Sequence, residues 1–152
     1  MQINNNDYVF ILNDINTRIK QAQYRVITTT NSELLMLYWN IGCVINENSA
    51  WGHKFVVNLA RDIKHDFPDT MGYSIRNLKY MSKFAKMFPD FETVQSLTAQ
   101  LTWKHNTTLL DKIKDREIYL WYAKRNRESG WSVDTLKEQI ENNLYERQAE
   151  QL

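Results

Sequence analysis

Apolar positions recur every three or four residues along most of the chain, a pattern that predicts helices rather than strands. The first stripe alternates steps of four and three residues. Its members are Tyr8, Leu12, Ile15, Ile19, Ala22 and Val26. This stripe predicts one long helix, which the run of β-branched and cap-forming residues at 28–31 interrupts.

A second helix is predicted to begin at Thr30, because Thr30 and Glu33 have the spacing of a capping box. Its apolar stripe comprises Leu34, Tyr38, Ile41 and Ile45. Gly42 lies inside this helix. Because a mid-helix glycine costs up to about 1 kcal/mol relative to alanine, we expect another helix to approach closely there. A polar turn is expected over residues 46–52.

The segment at about 56–88 predicts a helix, a turn and a second helix. The first helix has an apolar stripe made of Val56, Leu59, Ile63 and Phe67. Pro68 and Gly72 place the turn. Ser74 can cap the following helix, which runs to about Phe88. The core-facing residues predicted for that helix are Ile75, Leu78, Ser82, Ala85 and Phe88, with Met81 and Phe84 beside them.

The remainder of the chain also reads as helical. One or two short helices are expected within 91–114. Asp115 can cap the next helix and Gly130 can end it. Ser132 can cap a last helix, whose apolar stripe is Val133, Leu136, Ile140 and Leu144. The predicted fold class is therefore all-α, a single compact domain over 1–152 with N-terminal helices at 5–50, a helix-turn-helix-like unit at 54–88 and C-terminal helices at 93–148.

Composition narrows the class of protein. The chain has 152 residues, of which 43% are hydrophobic, enough to fold without disulfide staples. Cys43 is the single cysteine, which excludes an intramolecular disulfide and favours a reducing compartment. No signal peptide is expected at the N-terminus, and no run approaches the roughly 18 apolar residues of a membrane span. We therefore expect a cytoplasmic protein that does not enter the membrane.

The distribution of charge is more informative than the net charge of +1. Residues 51–90 contain seven Lys and Arg against four Asp and Glu. In the second helix of the helix-turn-helix-like unit, steps of 3-4-3 place four cations on one face. They are Arg76, Lys79, Lys83 and Lys86, and no acidic residue occurs from Ser74 to Phe88. A plain solvated face is the alternative interpretation of such a stripe.

These cations suggest contact with DNA. A helix-turn-helix places its second helix in the major groove, where Arg and Asn reach base edges and Lys reaches phosphates. Arg76 and Asn77, near the start of the helix, are the candidate base readers. Lys79, Lys83 and Lys86 are the candidate phosphate contacts.

Catalytic and metal-binding patterns are missing from the sequence. His53, His65 and His105 do not have the spacing of metal ligands. Nucleotide-binding glycine loops and the nucleophile elbow are not found. The Asp62–Lys64 tripeptide falls inside a predicted helix, whereas a metal-dependent nuclease needs such a pair on a strand. We therefore expect no catalytic residues, no metal and no cofactor.

A second cation-rich stretch lies near the C-terminus. Lys124, Arg125 and Arg127 follow Trp121 and Tyr122. Aromatic residues interleaved with cations can stack on single-stranded bases. The preferred interpretation is that Trp121 and Tyr122 fill the core while the cations stay outside and favour the helix C-terminus.

Several segments together resemble a known family. They are LLMLYWNIG at 34–42, Trp51-Gly52, LARDIKHDFPDTMGYSIRNLKYMSKF at 59–84, AQLTWKHNTTLLDKIKD at 99–115 and WYAKRNRESGWSVDTLKEQIENNLYERQ at 121–148. In order and spacing they resemble the N-terminal domain of the YhcG-like family of bacterial proteins. One departure is Leu101-Thr102-Trp103-Lys104-His105, where the family usually has L-P-W-G-H.

The resemblance implies a helical, DNA-binding module that precedes a PD-(D/E)XK nuclease domain, in mobile-element or defence settings. That nuclease domain would lie after residue 152, so it is expected to be absent from this chain. We expect a non-catalytic DNA-binding domain, with DNA as its partner. The alternative is an oligomerisation or protein-interaction module without DNA contact. A homodimer formed through the N-terminal helices is compatible with either.

Overall fold

Helices account for all the regular structure of residues 5–24, 31–98 and 101–150, which are those that the computed structural model describes. This confirms the all-α prediction. The helices are α1 (Asn5–Tyr24), α2 (Asn31–Glu47), α3 (Gly52–Asp66), α4 (Ile75–Met87), α5 (Phe91–Thr98), α6 (Trp103–Lys112), α7 (Arg116–Ser129), α8 (Val133–Glu141) and α9 (Leu144–Glu150), with a 3-10 turn at Ser49–Trp51. None of the described helices combines the length and apolar character needed to cross a membrane.

Helix α2 lies at the centre of the fold and packs most extensively against α4. Gly42 is the point of closest approach. A Cβ atom on Gly42 would lie 2.1 Å from the carbonyl oxygen of Met81, far inside contact distance. This confirms the expectation that another helix passes close to Gly42. One turn further along, Asn46 Nδ2 donates to the carbonyl of Ser82 at 3.0 Å.

Two clusters of buried side chains share α4. The first cluster joins α1, α2 and α3, and takes Leu78 and Met81 from α4. The second cluster joins α5, α6, α7 and α8 with Trp39 of α2, and takes Phe84 and Ala85 from α4 and Phe88 from the residue after it. Trp103 packs against both clusters. Helix α4 therefore lies between the two clusters and contributes buried side chains to both.

The helix caps predicted at Ser74, Asp115, Gly130 and Ser132 are confirmed. Ser74, Asp115 and Ser132 each accept a hydrogen bond, at 3.1 Å, from the backbone N–H three residues further along. Gly130 ends α7 in the left-handed region, at φ 65° and ψ 38°. Thr30, the cap predicted for α2, lies outside the described residues.

Three details of the predicted elements are wrong. Helix α2 continues to Glu47, so the turn begins later than expected. The predicted last helix is divided into α8 and α9, because Asn143 adopts a positive φ of 56°, a conformation that asparagine tolerates. In α4, Ile75 is 37% exposed and Ser82 bonds to Asn46 instead of entering the core.

The stripe predicted for α1 packs within the chain. Ile15 and Ile19 are buried in the first cluster, while Tyr8 and Leu12 pack against it. Tyr8 Oη also donates to Asp62 of α3 at 2.5 Å. The side chains at the C-terminal end of the stripe, 22–26, lie outside the description.

Candidate nucleic-acid interface

Helix α4 presents its cations to solvent. Arg76, Lys79, Lys83 and Lys86, called the α4 cations below, are all exposed. At about 100° per residue their positions fall within an arc of about 80°. The opposite side of α4 is anchored by Leu78, Met81, Phe84 and Ala85, and by Phe88 just after the helix, which are all buried. The buried anchors fix the direction in which the cations point.

The α4 cations have no direct carboxylate partner in the part of the chain that the structure describes. Lys83 Nζ donates to the carbonyl of Leu110 at 2.9 Å, which holds its charge at the edge of α6. Lys79 and Lys86 border a shallow depression of about 260 Å³ that His53 and Asn48 also line.

The exposed face of α4 that carries the α4 cations is called the α4 ridge. Arg76 lies on the other side of this ridge, beside Tyr80. Its Nη2 atom donates to the Tyr80 hydroxyl at 3.3 Å, and its guanidinium carbon lies 5.6 Å from the centre of that ring. The hydroxyl of Tyr80 in turn donates to Asp111, 2.7 and 2.8 Å from the two carboxylate oxygens. The hydrogen bond with Tyr80 raises the pKa of Arg76, so the guanidinium stays charged.

Asn77 is turned inward and is only partly exposed. Its Nδ2 atom donates to the carbonyl of Gly72 at 2.5 Å, and its Oδ1 atom accepts from Trp103 Nε1 at 2.7 Å. While these bonds hold, both ends of the amide are occupied. Of the two candidate base readers, Arg76 is exposed with its guanidinium resting on Tyr80. Asn77 instead ties the loop before α4 to α6.

A groove beside α4 is lined partly by cations that no sequence pattern connects with the α4 cations. Its volume is about 490 Å³ and it lies between α4, α6 and α8; we call it the α6 groove. The basic residues along it are Arg76, Lys104, Lys112 and Lys137. These positions lie up to 61 residues apart in sequence (76 to 137), so no local pattern connects them.

The histidines and the cysteine are dispersed. Among the described residues, no group of three His, Cys, Asp or Glu side chains is placed to hold a metal ion. His105 is buried, and its Nε2 atom lies 2.8 Å from the carbonyl oxygen of Trp131. Cys43 is partly exposed. Burial and the nearby Glu47 raise the pKa of its thiol, which disfavours the nucleophilic thiolate.

The aromatic stretch of α7 serves mainly to pack helices. Tyr122 is buried, and its hydroxyl accepts from the backbone N–H of Tyr145 at 3.1 Å. Trp121 is partly exposed, and the guanidinium carbon of Arg125 lies 5.7 Å from the centre of its ring. The cations of this helix thus lie outside the core, as expected.

A comparison with protein-family models identifies a family that covers most of the chain. The model described as DUF1016 N-terminal domain matches residues 14–147. The matched range runs from within α1 to within α9 and includes the α4 cations. A search of curated proteins and a search of solved structures gave no significant match.

Proposed function

Because the chain belongs to the DUF1016 N-terminal domain family, the domain that precedes the nuclease domain in YhcG-like proteins, we propose that it is a DNA-binding domain of a nuclease-associated bacterial protein. Its role is non-catalytic in this proposal: it attaches the protein to DNA. The observation that carries the proposal is the exposed set of α4 cations, none of which forms an ion pair with a described residue.

Electrostatics favours an anionic partner for this helix. Like charges three or four residues apart on a helix repel by a few tenths of a kcal/mol per pair. The α4 cations include three such neighbouring pairs, and α4 itself contains no acidic residue. A phosphate backbone relieves this repulsion and releases its own condensed counterions.

The position of each cation suggests a role on the duplex. Lys79 and Lys86 lie on one side of the ridge, and Arg76 and Lys83 lie on the other. Phosphate contacts on both sides orient a helix in the groove. Arg76 lies at the N-terminal end of α4, the end from which recognition helices contact base edges.

The unit is helix-turn-helix-like rather than the compact motif. Residues 67–74 separate α3 from α4, whereas the compact motif has a turn of about three or four residues. Helix α4 also leans mainly on α2. The proposal therefore rests on α4 as an exposed cationic ridge.

A salt series with labelled duplex DNA tests the proposal. The test variant replaces Lys79, Lys83 and Lys86 with alanine. If each lysine contacts one phosphate, the slope of log K against log salt becomes shallower by about 2.7, at about 0.9 per contact. The corresponding loss of affinity at 0.1 M salt is roughly 500-fold, if affinities converge at 1 M.

The matched control replaces Lys20, Lys124 and Arg127, three exposed cations of α1 and α7, and so removes the same charge. Circular dichroism checks that both variants are folded. The proposal is wrong if the wild-type domain does not bind DNA at low salt. It is also wrong if the two variants lose affinity equally, because binding would then follow net charge alone.

One observation favours the alternative of a protein-interaction module. Val9 is 51% exposed and Phe10 is 75% exposed, side by side on α1. The described part of the α1 stripe, from Tyr8 to Ile19, packs inward, so a dimer would use this outer face. Sedimentation of the wild type and of Phe10→Asp tests it: a dimer dissociated by the substitution supports self-association, and a monomer refutes it.

A further inference from the structure

We propose that the α6 groove binds the phosphodiester backbone of one nucleic-acid strand, with Lys104 and Lys137 as the contacting residues that α4 itself does not supply. This inference rests on the proposed function and extends its surface from α4 to α6 and α8. It assigns a nucleic-acid contact to two helices outside the helix-turn-helix-like unit.

The charges along the α6 groove are predominantly positive. Arg76, Lys104, Lys112 and Lys137 line it, while Asp111 is the one carboxylate among the lining residues that the structure describes. Lys112 is paired with Glu141 at 3.5 Å. Lys104 and Lys137 are exposed and form no ion pair with any described residue. Two lysines from different helices thus face the same groove without an ion-pair partner among the described residues.

Asp111 has a structural reason to be present among these cations. It accepts the hydrogen bond from Tyr80, which in turn accepts from Arg76. The carboxylate therefore orients the Arg76 side chain through Tyr80. The carboxylate also repels an anionic ligand in the same groove. We therefore expect the affinity for nucleic acid to rise when its charge is removed.

The walls of the groove fit a phosphate backbone better than an apolar partner. Among the described residues, the lining contains no aliphatic side chain; apart from Trp103 and Tyr80, these residues are glycine or are polar or charged. Pockets for apolar ligands are lined mainly by hydrophobic residues. Trp103 packs against the core on one side, and its Nε1 atom donates a hydrogen bond to Asn77. The remaining attraction is electrostatic, which is the attraction that a backbone of repeated phosphates uses.

The location of the groove relates it to the α4 ridge. Arg76 belongs both to the ridge and to the lining of the α6 groove. Lys79 and Lys86 line the separate depression on the far side of α4. A strand lying in the α6 groove is therefore adjacent to a duplex or strand that contacts α4. The spread of cations over three helices fits a chain of phosphates rather than a single free phosphate.

The test variant replaces Lys104 and Lys137 with alanine, and the control replaces Lys20 and Lys124. In the salt series with labelled duplex DNA, loss of two phosphate contacts makes the slope shallower by about 1.8 and lowers the affinity at 0.1 M salt by about 60-fold. The control keeps the wild-type slope. Competition with inorganic phosphate, at ionic strength held constant, identifies a free-phosphate site if it displaces DNA at millimolar concentration.

Asp111→Asn provides a gain-of-function test that does not depend on a destabilised variant. Its amide oxygen still accepts from Tyr80, so Arg76 keeps its orientation. Removal of one negative charge within about 8 Å of a bound phosphate raises the affinity by about two- to threefold.

The failures of the two proposals are distinguishable. If the Lys104 and Lys137 variant keeps the wild-type slope and Asp111→Asn changes nothing, the groove assignment is wrong, while binding lost in the α4 variant still supports the proposed function. Displacement by millimolar phosphate also overturns the assignment of a strand. Absence of binding by the wild type overturns both.

Discussion

Replacing Gly42 with alanine tests how tightly α4 is held on α2. The added Cβ atom would lie 2.1 Å from the Met81 carbonyl oxygen, 2.6 Å from its carbon and 3.0 Å from Ala85 Cβ. The first two contacts are with backbone atoms, which no side-chain rotation can relieve. Real Cβ contacts essentially never fall below 3.0 Å, so the helices must separate by nearly 1 Å, from 2.1 to at least 3.0 Å.

The magnitude follows from two opposing effects. Alanine has a higher helix propensity than glycine, which favours the variant by up to about 1 kcal/mol. Overpacking of a close-packed core costs about 1–3 kcal/mol, and a clash with backbone belongs at the upper end of that range. The separation also weakens contacts of Leu78 and Met81 along the interface. We expect the free energy of unfolding to fall by about 2 kcal/mol.

Urea unfolding followed by circular dichroism measures this difference. Cys43→Ala is the control, because it places alanine at the next position of the same helix, where the side chain is partly exposed. We expect its effect to be below about 1 kcal/mol. A Gly42→Ala variant as stable as the wild type, or more stable, would refute the close approach of α2 and α4, since helix propensity alone would then decide the outcome.

Two further substitutions test contacts that the fold relies on. Asn77→Ala leaves Trp103 Nε1 and the Gly72 carbonyl without their partner, so we expect the free energy of unfolding to fall by about 1–3 kcal/mol in urea titrations; unchanged stability contradicts the positioning role. Hydrogen bonds from Thr93 and Arg116 lower the pKa of Asp90 from 3.8 to about 2. This contribution to stability is present above about pH 4 and is lost as the pH falls towards 2, because the depressed carboxyl must then be protonated. Urea midpoints of Asp90→Asn, measured from pH 5 to 2, should therefore depend less steeply on pH than those of the wild type; equal slopes argue against the effect.

Local features of this fold were predictable from sequence because their physics is local. Ser74, Asp115 and Ser132 bond to an N–H only three residues away, so the spacing of residue types determines the cap. Gly42 was informative for a related reason. A glycine inside an apolar helix is costly, and close packing against a neighbour explains the cost.

Features that depend on distant contacts were not predictable. The sequence predicts Asn77 as a base reader. In the structure its amide oxygen accepts a hydrogen bond from Trp103, which lies 26 residues further along. Lys104 could be noticed in the sequence as an additional cation, since the family usually has glycine at that place. No sequence pattern connects Lys137 with the groove, because only the packing of α8 beside α6 brings it there. The exposure of Ile75 depends likewise on how α4 rotates against α2.

The division of α4 between two clusters bears on cooperativity. Leu78 and Met81 belong to one cluster and Phe84 and Ala85 to the other, so neither cluster can melt without exposing part of the same helix. We expect a single two-state transition instead of independent melting of two halves. Occupancy of the ridge by an anionic ligand would then raise the melting temperature of the whole chain, since the ligand binds a helix that both halves need.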